Sequence, residues 1–513
     1  MDFKDEKDQE PGMENNFIQI TSKRAVADAN FPKGVQDYDF TVGGRYAWIP
    51  AKSYFRVQME LEASDGAGGW RQPQPSDKIA FADDPVSCLY DNIYARAGGQ
   101  DISSIVNYAP QASIVKNRLG KSGAWMNTIG KVAYGLNPSF EDRVDLVSSG
   151  AAYKKSSDFA PVSDDATATV SINGGDGVVT GINTLLNTTP YAVVLGDLLA
   201  IGGIVYKVTT APTSDTAGMV VVVASTNAFP AANVAATTDV FRIVPSVEVN
   251  NTLAKNRQYF VWTPPIGLFD HAEPMGSGDY RVQLNPNSEY QRAAVQAAAA
   301  LTPGTDYRLQ IKSVELYVAL EKSNIPATMT EKLYLMESQV QSKNITASVE
   351  QLDFTIPPST KAITIFVQAL SAGTSTLFPA TLLKLENNED QAMEQIQLTY
   401  GNVSKPSTKW SSDFTANANL MTQRYLTTQI NSGRVWSEGG AESFDQWLER
   451  GALVHWDFTR DMNDRSSHLQ IQIKYDNISN PSGANLFVVS HYTRTVQIST
   501  QNGRVADVVS LSV

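Results

Sequence analysis

The stretch FTIPPSTKAITIFVQ, residues 354–368, joins two β-like segments through adjacent prolines. Proline has no N–H to give to a sheet ladder and holds φ near about −65°, so Pro357 and Pro358 belong at a corner or an edge. Lys361 precedes the second segment, where a charge guards an apolar strand against edge aggregation. The faces of that segment carry Ile363, Ile365 and Val367 on one side and Ala362, Thr364 and Phe366 on the other.

Clean alternation marks further strands on both sides of this stretch. SYFRVQMELE, residues 53–62, puts apolar side chains on one face and polar ones on the other, which predicts a strand of a large sheet. In YRLQIKSVELYVAL, residues 307–320, the apolar phase changes near Lys312 and Ser313, which predicts a β-bulge.

Other segments predict turns, pairs and a few short helices. Residues 87–102 have the pattern of a strand followed by a Gly-Gly turn, and residues 469–475 and 485–500 are predicted to pair antiparallel. Short helices are predicted over residues 108–120, 288–301 and 442–451, the last with Phe444, Trp447 and Leu448 on one face. Dominant short strands with Pro and Gly corners indicate β-sandwiches of the Greek-key or jelly-roll kind.

Composition limits the class of protein. The chain has 513 residues, which favours two or more domains, and 42% of them are hydrophobic, enough for large cores. Only 18% are charged, which suits either surfaces covered by neighbouring molecules or a β-protein with polar, uncharged loops. The net charge of −12 and the lack of basic runs argue against direct nucleic-acid binding.

Cys88 is the only cysteine, so no intrachain disulfide and no cysteine metal site can form, and a reducing compartment is expected during folding. The first residues, MDFKDEKDQE, are charged where a secretory signal would be apolar, and no membrane span is predicted.

Residues 163–245 differ from the rest in composition. They are rich in Ala, Val, Thr and Gly, and Lys207 and Arg242 are their only basic residues. Within them GGDGVVTG, residues 174–181, fails the spacing of a phosphate-binding loop and predicts a hairpin turn. We interpret the segment as a small β-rich module inserted into a larger domain, with a contiguous linker domain as the alternative.

The sequence contains no recognisable set of catalytic or metal-binding residues. The histidines are His271, His455, His468 and His491. None lies within five residues of another, and no nucleophile elbow, Walker loop or zinc-protease motif is present. The acidic pairs Asp83-Asp84 and Asp164-Asp165 could act in glycoside hydrolysis or bind Ca²⁺, but adjacent acids in loops are usually solvated. The polar segment 457–468 could be a network at a subunit contact or a plain loop. We therefore predict no catalytic, cofactor-binding or metal site, and no enzyme.

The order of the strand-like segments resembles that of the double jelly-roll major capsid proteins of tailless icosahedral DNA viruses. The similarity is greatest to the virophage and polinton-like branch, with adenovirus hexon more distant. It covers roughly residues 40–150 and 250–500, and rests on the succession of 53–62, 81–103, 278–287, 307–320, 354–368, 451–464, 469–475 and 486–498.

This resemblance implies an all-β fold of two consecutive eight-stranded jelly rolls, with a few short helices. The implied organisation is an N-terminal arm (1–39), a first jelly roll (40–325) interrupted by the inserted module or tower (163–245), and a second jelly roll (326–513). In this organisation, residues 354–368 form an early corner of the second jelly roll.

The function that the resemblance implies is structural. The expected protein forms a homotrimeric, pseudo-hexagonal capsomer in the virion and is made inside the host cell. Its expected partners are itself, neighbouring capsomers, and penton and minor capsid proteins, without sequence-specific nucleic-acid binding; membrane contact is left open. The alternatives are a carbohydrate-binding or depolymerising tailspike-like protein and a secreted adhesin-like array of sandwiches.

Overall fold

The structure is a computed structural model, and most of the strand-forming segments are described in it. The described residues are 16–23, 34–43, 45–64, 68–71, 79–81, 84–130, 133–134, 159–161, 169–182, 187, 193, 195, 197–201, 204–215, 218–223, 228–237, 240–243, 258–288, 290–296, 304–322, 328–370, 377–382, 393–401, 403–411, 421–433, 444, 447, 453–459, 466–475 and 484–511.

The described part of the chain begins with eight strands. These strands are β1 (Asn16–Thr21), β2 (Gln36–Val42), β3 (Tyr46–Trp48), β4 (Tyr54–Ser64), β5 (Trp70–Arg71), β6 (Ile79–Phe81), β7 (Tyr90–Ala97) and β8 (Gln100–Ile105). Helix α1 (Ala109–Gly120) follows, as its sequence predicts, and then α2 (Gly123–Trp125) and a π-helical turn (Met126–Gly130). Short 3₁₀ turns at Pro50–Lys52, Ser87–Leu89 and Gly267–Asp270 also belong to this half.

An eight-stranded antiparallel sheet, called the inserted sheet below, comes next in the chain. Its strands are β9 (Phe159–Pro161), β10 (Thr169–Ile172), β11 (Val178–Ile182), β12 (Leu198–Ile201), β13 (Ile204–Thr210), β14 (Met219–Val223), β15 (Val234–Thr237) and β16 (Val240–Ile243). The predicted hairpin turn between β10 and β11 is present, with Gly175 and Gly177 at positive φ.

Four strands and a turn complete the first half: β17 (Gln258–Trp262), β18 (Gly278–Pro286), a 3₁₀ turn (Tyr290–Ala293), β19 (Ala294–Gln296) and β20 (Tyr307–Lys322). One sheet has the order β1-β20-β4-β17 and the other β2-β18-β7-β8. We call this pair of sheets the first sandwich. The predicted bulge in β20 is confirmed, because the register against β4 shifts between Ile311 and Ser313.

The second half repeats this plan. Its elements are β21 (Met329–Asn344), β22 (Val349–Thr355), β23 (Thr360–Leu370), β24 (Leu377–Leu382), β25 (Met393–Tyr400), β26 (Val403–Ser411), α3 (Met421–Asn431), β27 (Val454–Asp457), β28 (His468–Tyr475), β29 (Ala484–Gln501) and β30 (Arg504–Leu511). One sheet has the order β21-β29-β23, with β24 and β27 both on β23, and the other has the order β22-β28-β25-β26. These sheets form the second sandwich.

The two sandwiches have the same strand order. If the eight main strands of each are numbered along the chain, the sheets read 1-8-3-6 and 2-7-4-5 in both. This interleaving of two Greek keys is the jelly roll. A helix follows the fifth strand in each case, α1 in the first sandwich and α3 in the second. The all-β prediction of two consecutive jelly rolls is therefore confirmed.

The Pro-Pro stretch makes the predicted corner. The chain leaves β22 in one sheet of the second sandwich and enters β23 in the other. The turn is closed at Pro357, whose carbonyl accepts the Thr360 N–H at 3.1 Å and its hydroxyl at 2.6 Å. Both faces of β23 are buried, because one lies in the core of the second sandwich and Phe366 lies in the core of the first.

Two predictions from sequence are wrong. The segments 469–475 and 485–500 do not pair, because β28 pairs with β22 and β25 whereas β29 pairs with β21, β23 and β30. Successive strands of a jelly roll often lie in opposite sheets. The Ala-rich segment 288–301 is no α-helix in its described part, where a 3₁₀ turn leads into β19, which pairs with β6.

Two further expectations are qualified by the structure. The arm predicted for residues 1–39 contains β1 and the start of β2, which are strands of the first sandwich, since β1 pairs with β20 and β2 with β18. Of the helix predicted at 442–451, only Phe444 and Trp447 are described, with rings stacked at 6.2 Å. In the part of the chain that the structure describes, no helix is both long and apolar enough to cross a membrane.

Candidate functional site: the junction between the two sandwiches

The two sandwiches meet along a buried junction. The first contributes α1 and the Gly267–Asp270 turn, and the second contributes β21, β23 and β29. The ring of Phe487 stacks on Phe366 at 5.3 Å and meets Tyr108 edge-on at 5.3 Å. Phe487 and Phe366 belong to the same apolar cluster as the core of the first sandwich. The junction residues of the second sandwich therefore extend the core of the first, while the second sandwich keeps an apolar cluster of its own.

A buried carboxylate of the second sandwich enters the first. Glu337 is 1% exposed; its carboxylate accepts a hydrogen bond from the Ser103 hydroxyl at 2.5 Å and one from the Gly267 N–H at 3.2 Å. The Ser103 oxygen in turn accepts the N–H of Leu268 at 3.2 Å. Burial raises the pKa of Glu337 despite these donors. Because the acceptors and donors come from different sandwiches, this contact fixes one against the other.

A pair of histidines lies on the second-sandwich side of the junction. The Thr364 hydroxyl is 2.8 Å from Nδ1 of His455 and 3.0 Å from Nε2 of His491, and the Ser338 hydroxyl is 3.1 Å from Nδ1 of His491. Thr364 has a single hydroxyl hydrogen, so it donates to one imidazole and accepts from the N–H of the other. The ring centres of the histidines are 5.7 Å apart. The four side chains form one chain of hydrogen bonds.

Both imidazoles are neutral at ordinary pH. Burial lowers the pKa of His455 to about 4, and burial together with the neighbouring His455 lowers the pKa of His491 to about 3. A second imidazole this close penalises the protonation of the first. The network can hold hydrogen bonds across strands, but it contains no activated nucleophile.

A cavity of about 400 Å³ opens beside this network. Its first-sandwich wall is largely apolar, with Ala112, Val115 and Leu119 of α1. The second-sandwich wall is largely polar and includes His455 and His491. Lys116 and Asp270, both on the first-sandwich side, form an ion pair at 2.9 Å.

Of the acidic pairs considered from sequence, only Asp84 lies in the described part of the chain. Asp84 is buried, and its Oδ2 accepts from the hydroxyls of Ser87 at 2.6 Å and Ser113 at 2.5 Å and from the Asn117 amide at 3.1 Å. It therefore anchors α1 to the turn before β7, and burial raises its pKa. Asp83 and the pair at 164–165 lie outside the described residues.

Among the residues that the structure describes, no group of three or more His, Cys, Asp or Glu side chains is close enough to hold a metal ion. The other two histidines lie elsewhere: His468 is on the surface, 3.5 Å from Asp353, and the backbone N–H of His271 donates to the Leu268 carbonyl in the first sandwich, where burial lowers the pKa of its imidazole. In the polar segment 457–468, the Asp457 carboxylate accepts from the Thr459 N–H at 2.8 Å, which is an ordinary loop bond; residues 460–465 are outside the described part.

Sequence reasoning missed the junction. His455 and His491 are distant in sequence and meet only because β23 pairs with β27 on one side and β29 on the other. The one available signal was that β23 is apolar on both faces, since a strand of a two-layer sandwich with a free outer face should alternate. Phe366 at an outward position marks the face that the first sandwich covers.

Comparisons with known proteins give structural likenesses only. No family model and no curated protein sequence matches the chain. A solved structure of the Sputnik virophage is similar over 100% of this chain and 91% of that chain, with 11% identity and a TM-score of 0.49. The mavirus major capsid protein is similar over 99% of this chain and 93% of its own, with 10% identity and a TM-score of 0.39. The Faustovirus major capsid protein is similar over 96% and 92%, with 9% identity and a TM-score of 0.44. These proteins are of the group that the sequence resembles, while the fold itself rests on the strand order of the two sandwiches.

Proposed function

We propose that this chain is a major capsid protein, which forms homotrimeric, pseudo-hexagonal capsomers and builds an icosahedral shell around a DNA genome. The observation that carries the proposal is the pair of consecutive jelly rolls with one strand order, joined by a buried junction whose residues belong to the core of the first. Two equivalent domains held rigidly side by side give each chain two similar walls. Three such chains supply six walls, which is what a pseudo-hexagonal base requires.

The chemistry of the described part supports a structural role. Its buried polar groups, Glu337, Asp84 and the histidine pair, are used in hydrogen bonds that join elements. We propose that the protein is not an enzyme. Its partners are other copies of itself, neighbouring capsomers, and penton and minor capsid proteins, and its place is the virion. The net charge of −12 suits a shell that leaves DNA condensation to other proteins.

We also propose the division into a first jelly roll (40–325), a second jelly roll (326–513) and a module at 163–245 that decorates the outside of the first. The inserted sheet has an apolar cluster of its own, separate from that of the sandwiches. A module with its own core can project from a shell without weakening the wall beneath it.

The purified full chain, viewed by negative-stain electron microscopy and weighed by light scattering, tests the proposal. We expect compact particles of three copies with three-fold symmetry and a hexagonal base. Elongated monomers or fibres would contradict it. The tailspike-like alternative lacks support, because every pairing between described strands is antiparallel, whereas a β-helix stacks parallel strands.

A further inference from the structure

The repeated fold allows the junction to be compared with its equivalent surfaces elsewhere on the molecule. Helices α1 and α3 occupy the same place in their sandwiches and end at Gly120 and Asn431. Aligning them at these residues pairs Ala112 with Gln423, Val115 with Leu426 and Leu119 with Ile430. The first member of each pair lines the junction cavity.

The two helices share part of their buried face and differ along the stripe that lines the junction in α1, with Gln111, which is buried, and Thr422, which is exposed, as one further difference. Ser113, Asn117 and Arg118 are buried in α1, and their counterparts Arg424, Thr428 and Gln429 are buried in α3. By contrast, Val115 is buried whereas Leu426 is 48% exposed, and Ile430 is 51% exposed. The α3 stripe, defined as Gln423, Leu426 and Ile430, thus has the position of a junction surface, and no residue in the described part of the chain covers it.

The second-sandwich surface of the junction, formed by β21, β23 and β29, also has an equivalent in the first sandwich. Trp262 lies opposite Phe55 in the first sandwich as Trp456 lies opposite Ile363 in the second, which fixes the alignment of the outward-facing residues. The outward residues that correspond, second sandwich first, are Met336 and Phe17, Ser338 and Gln19, Ala362 and Tyr54, Thr364 and Arg56, His455 and Val261, and His491 and Tyr317.

In the first sandwich this outward surface is aromatic, and it is partly exposed among the residues that the structure describes. Tyr54 stacks on Tyr317 at 5.2 Å and contacts Phe17 at 5.9 Å, and the Arg56 guanidinium lies over Tyr317 at 5.2 Å and over Tyr259 at 5.4 Å. Phe17 is 50% and Tyr259 is 52% exposed. We call these five residues the aromatic face. Tyr and Arg on a well-ordered surface are the residues that dominate protein–protein contacts.

We propose that the aromatic face of one chain binds the α3 stripe of a second copy, in the manner in which β21, β23 and β29 bind α1 within the chain. This inference rests on the proposed function and names the surfaces that join the copies. Each chain has one surface of each kind, so the contact is head-to-tail, and such contacts close into a ring when the rotation between copies permits.

The chemistry of the two contacts differs in one respect. At the position of the neutral Thr364 within the chain, the aromatic face has Arg56, which is held by Glu315 with Nη2 and Oε2 2.5 Å apart. An exposed ion pair is solvated and screened by salt while no second copy covers it. The contact between copies can therefore form after each chain has folded alone.

Two double variants of the full chain test the inference. Leu426→Asp with Ile430→Asp alters the α3 stripe, and Phe17→Asp with Tyr259→Asp alters the aromatic face. We expect each to lose the trimer seen for the wild type and to weigh as a monomer by light scattering, with circular dichroism unchanged. Mixed together, they should give a one-to-one heterodimer and no larger ring, because one intact contact remains between them.

The matched control replaces exposed apolar residues of the inserted module, Ile182→Asp with Leu195→Asp, and should remain a trimer. If both double variants stay trimeric, or if the mixture gives no heterodimer, the inference is wrong although the capsomer stands. A wild type that is monomeric overturns the capsomer as well.

A chemical cross-link covers the case in which a double variant fails to fold. A chain with Phe17→Cys and Leu426→Cys, treated with a short bismaleimide, should give covalent dimers and trimers on a denaturing gel. Either single-cysteine variant should give far fewer, since Cys88 is buried and does not react in the folded protein. Equal ladders from the single and double variants would contradict the proposed contact.

Discussion

The junction and the inserted sheet are attached to the first sandwich in opposite ways. At the junction, Phe366, Phe487 and Val489 of the second sandwich lie inside the apolar cluster of the first. The inserted sheet has a separate cluster, built from residues such as Val170, Leu199 and Val221. One region is thus continuous with the core it joins, and the other folds around itself. The difference predicts which substitutions should lower the stability of the whole protein.

The largest effect is expected from emptying the junction. Phe487→Ala removes a fully buried ring that stacks on Phe366 and touches Tyr108, so we expect a loss of about 3–5 kcal/mol in the free energy of unfolding. Phe229→Ala, at a half-exposed ring of the inserted module, should change it by less than about 0.5 kcal/mol. Urea denaturation followed by fluorescence measures both. Equal losses would remove the distinction between the two regions.

The second-largest effect is expected from acid, which should destabilise the junction. The folded-state pKa of His455, about 4, lies below the ordinary value of 6.5, so its contribution to stability is complete above that value and is lost as the pH falls toward 4. The loss amounts to roughly 3 kcal/mol at most for this group. Unfolding of the wild type and of His455→Asn, measured from about pH 7.5 to about pH 4, should show the flatter profile for the variant. Parallel profiles would contradict a neutral histidine at this site.

Glu337 should act in the opposite direction and more weakly. Its pKa is raised, so its contribution to stability is greatest at low pH and falls as the pH rises through the ordinary value of 4.5 toward the folded one. The slope cannot exceed about 1.4 kcal/mol per pH unit. Glu337→Gln should abolish that slope while keeping an acceptor for Ser103 or Gly267. The comparison needs melting curves of both proteins across the same pH range, and an unchanged slope in the variant would count against the assignment.

The smallest effect is expected from removing the inserted module. Replacing residues 163–245 by a short flexible linker should leave the oligomeric state and the melting temperature of the sandwiches close to those of the full chain. Calorimetry and light scattering check this. Loss of folding on deletion would show that the module supports the wall, and the comparison would then fail.

The sequence predicts well whatever depends on local alternation. The faces of β4 and β23, the bulge in β20, the end of α1 at Gly120 and the Pro-Pro corner are each decided by neighbours within a few residues. They follow from the period of two of a strand and from the backbone limits of proline and glycine.

What the sequence does not predict is set by pairing between distant strands. The partner of β29 is not the strand before it, and the histidine network forms only after β27, β23 and β29 lie side by side. The buried state of Asp84 has the same origin, because its partners Ser113 and Asn117 come from α1. From sequence alone an acid in a loop is predicted to be solvated, because the position of the helix that covers it is not known.

The position of the eighth strand has a consequence for the order of events during synthesis. In both sandwiches the last of the eight main strands lies between the first and the third, so β21 and β23 have no ladder in common until β29 arrives. A ribosome would release β21 long before its partner exists, with its edge open to other chains. Each of these sheets is then completed in a single late step. Until β29 has been made, the charge of Lys361 lies at the start of β23, the strand whose partner is still missing.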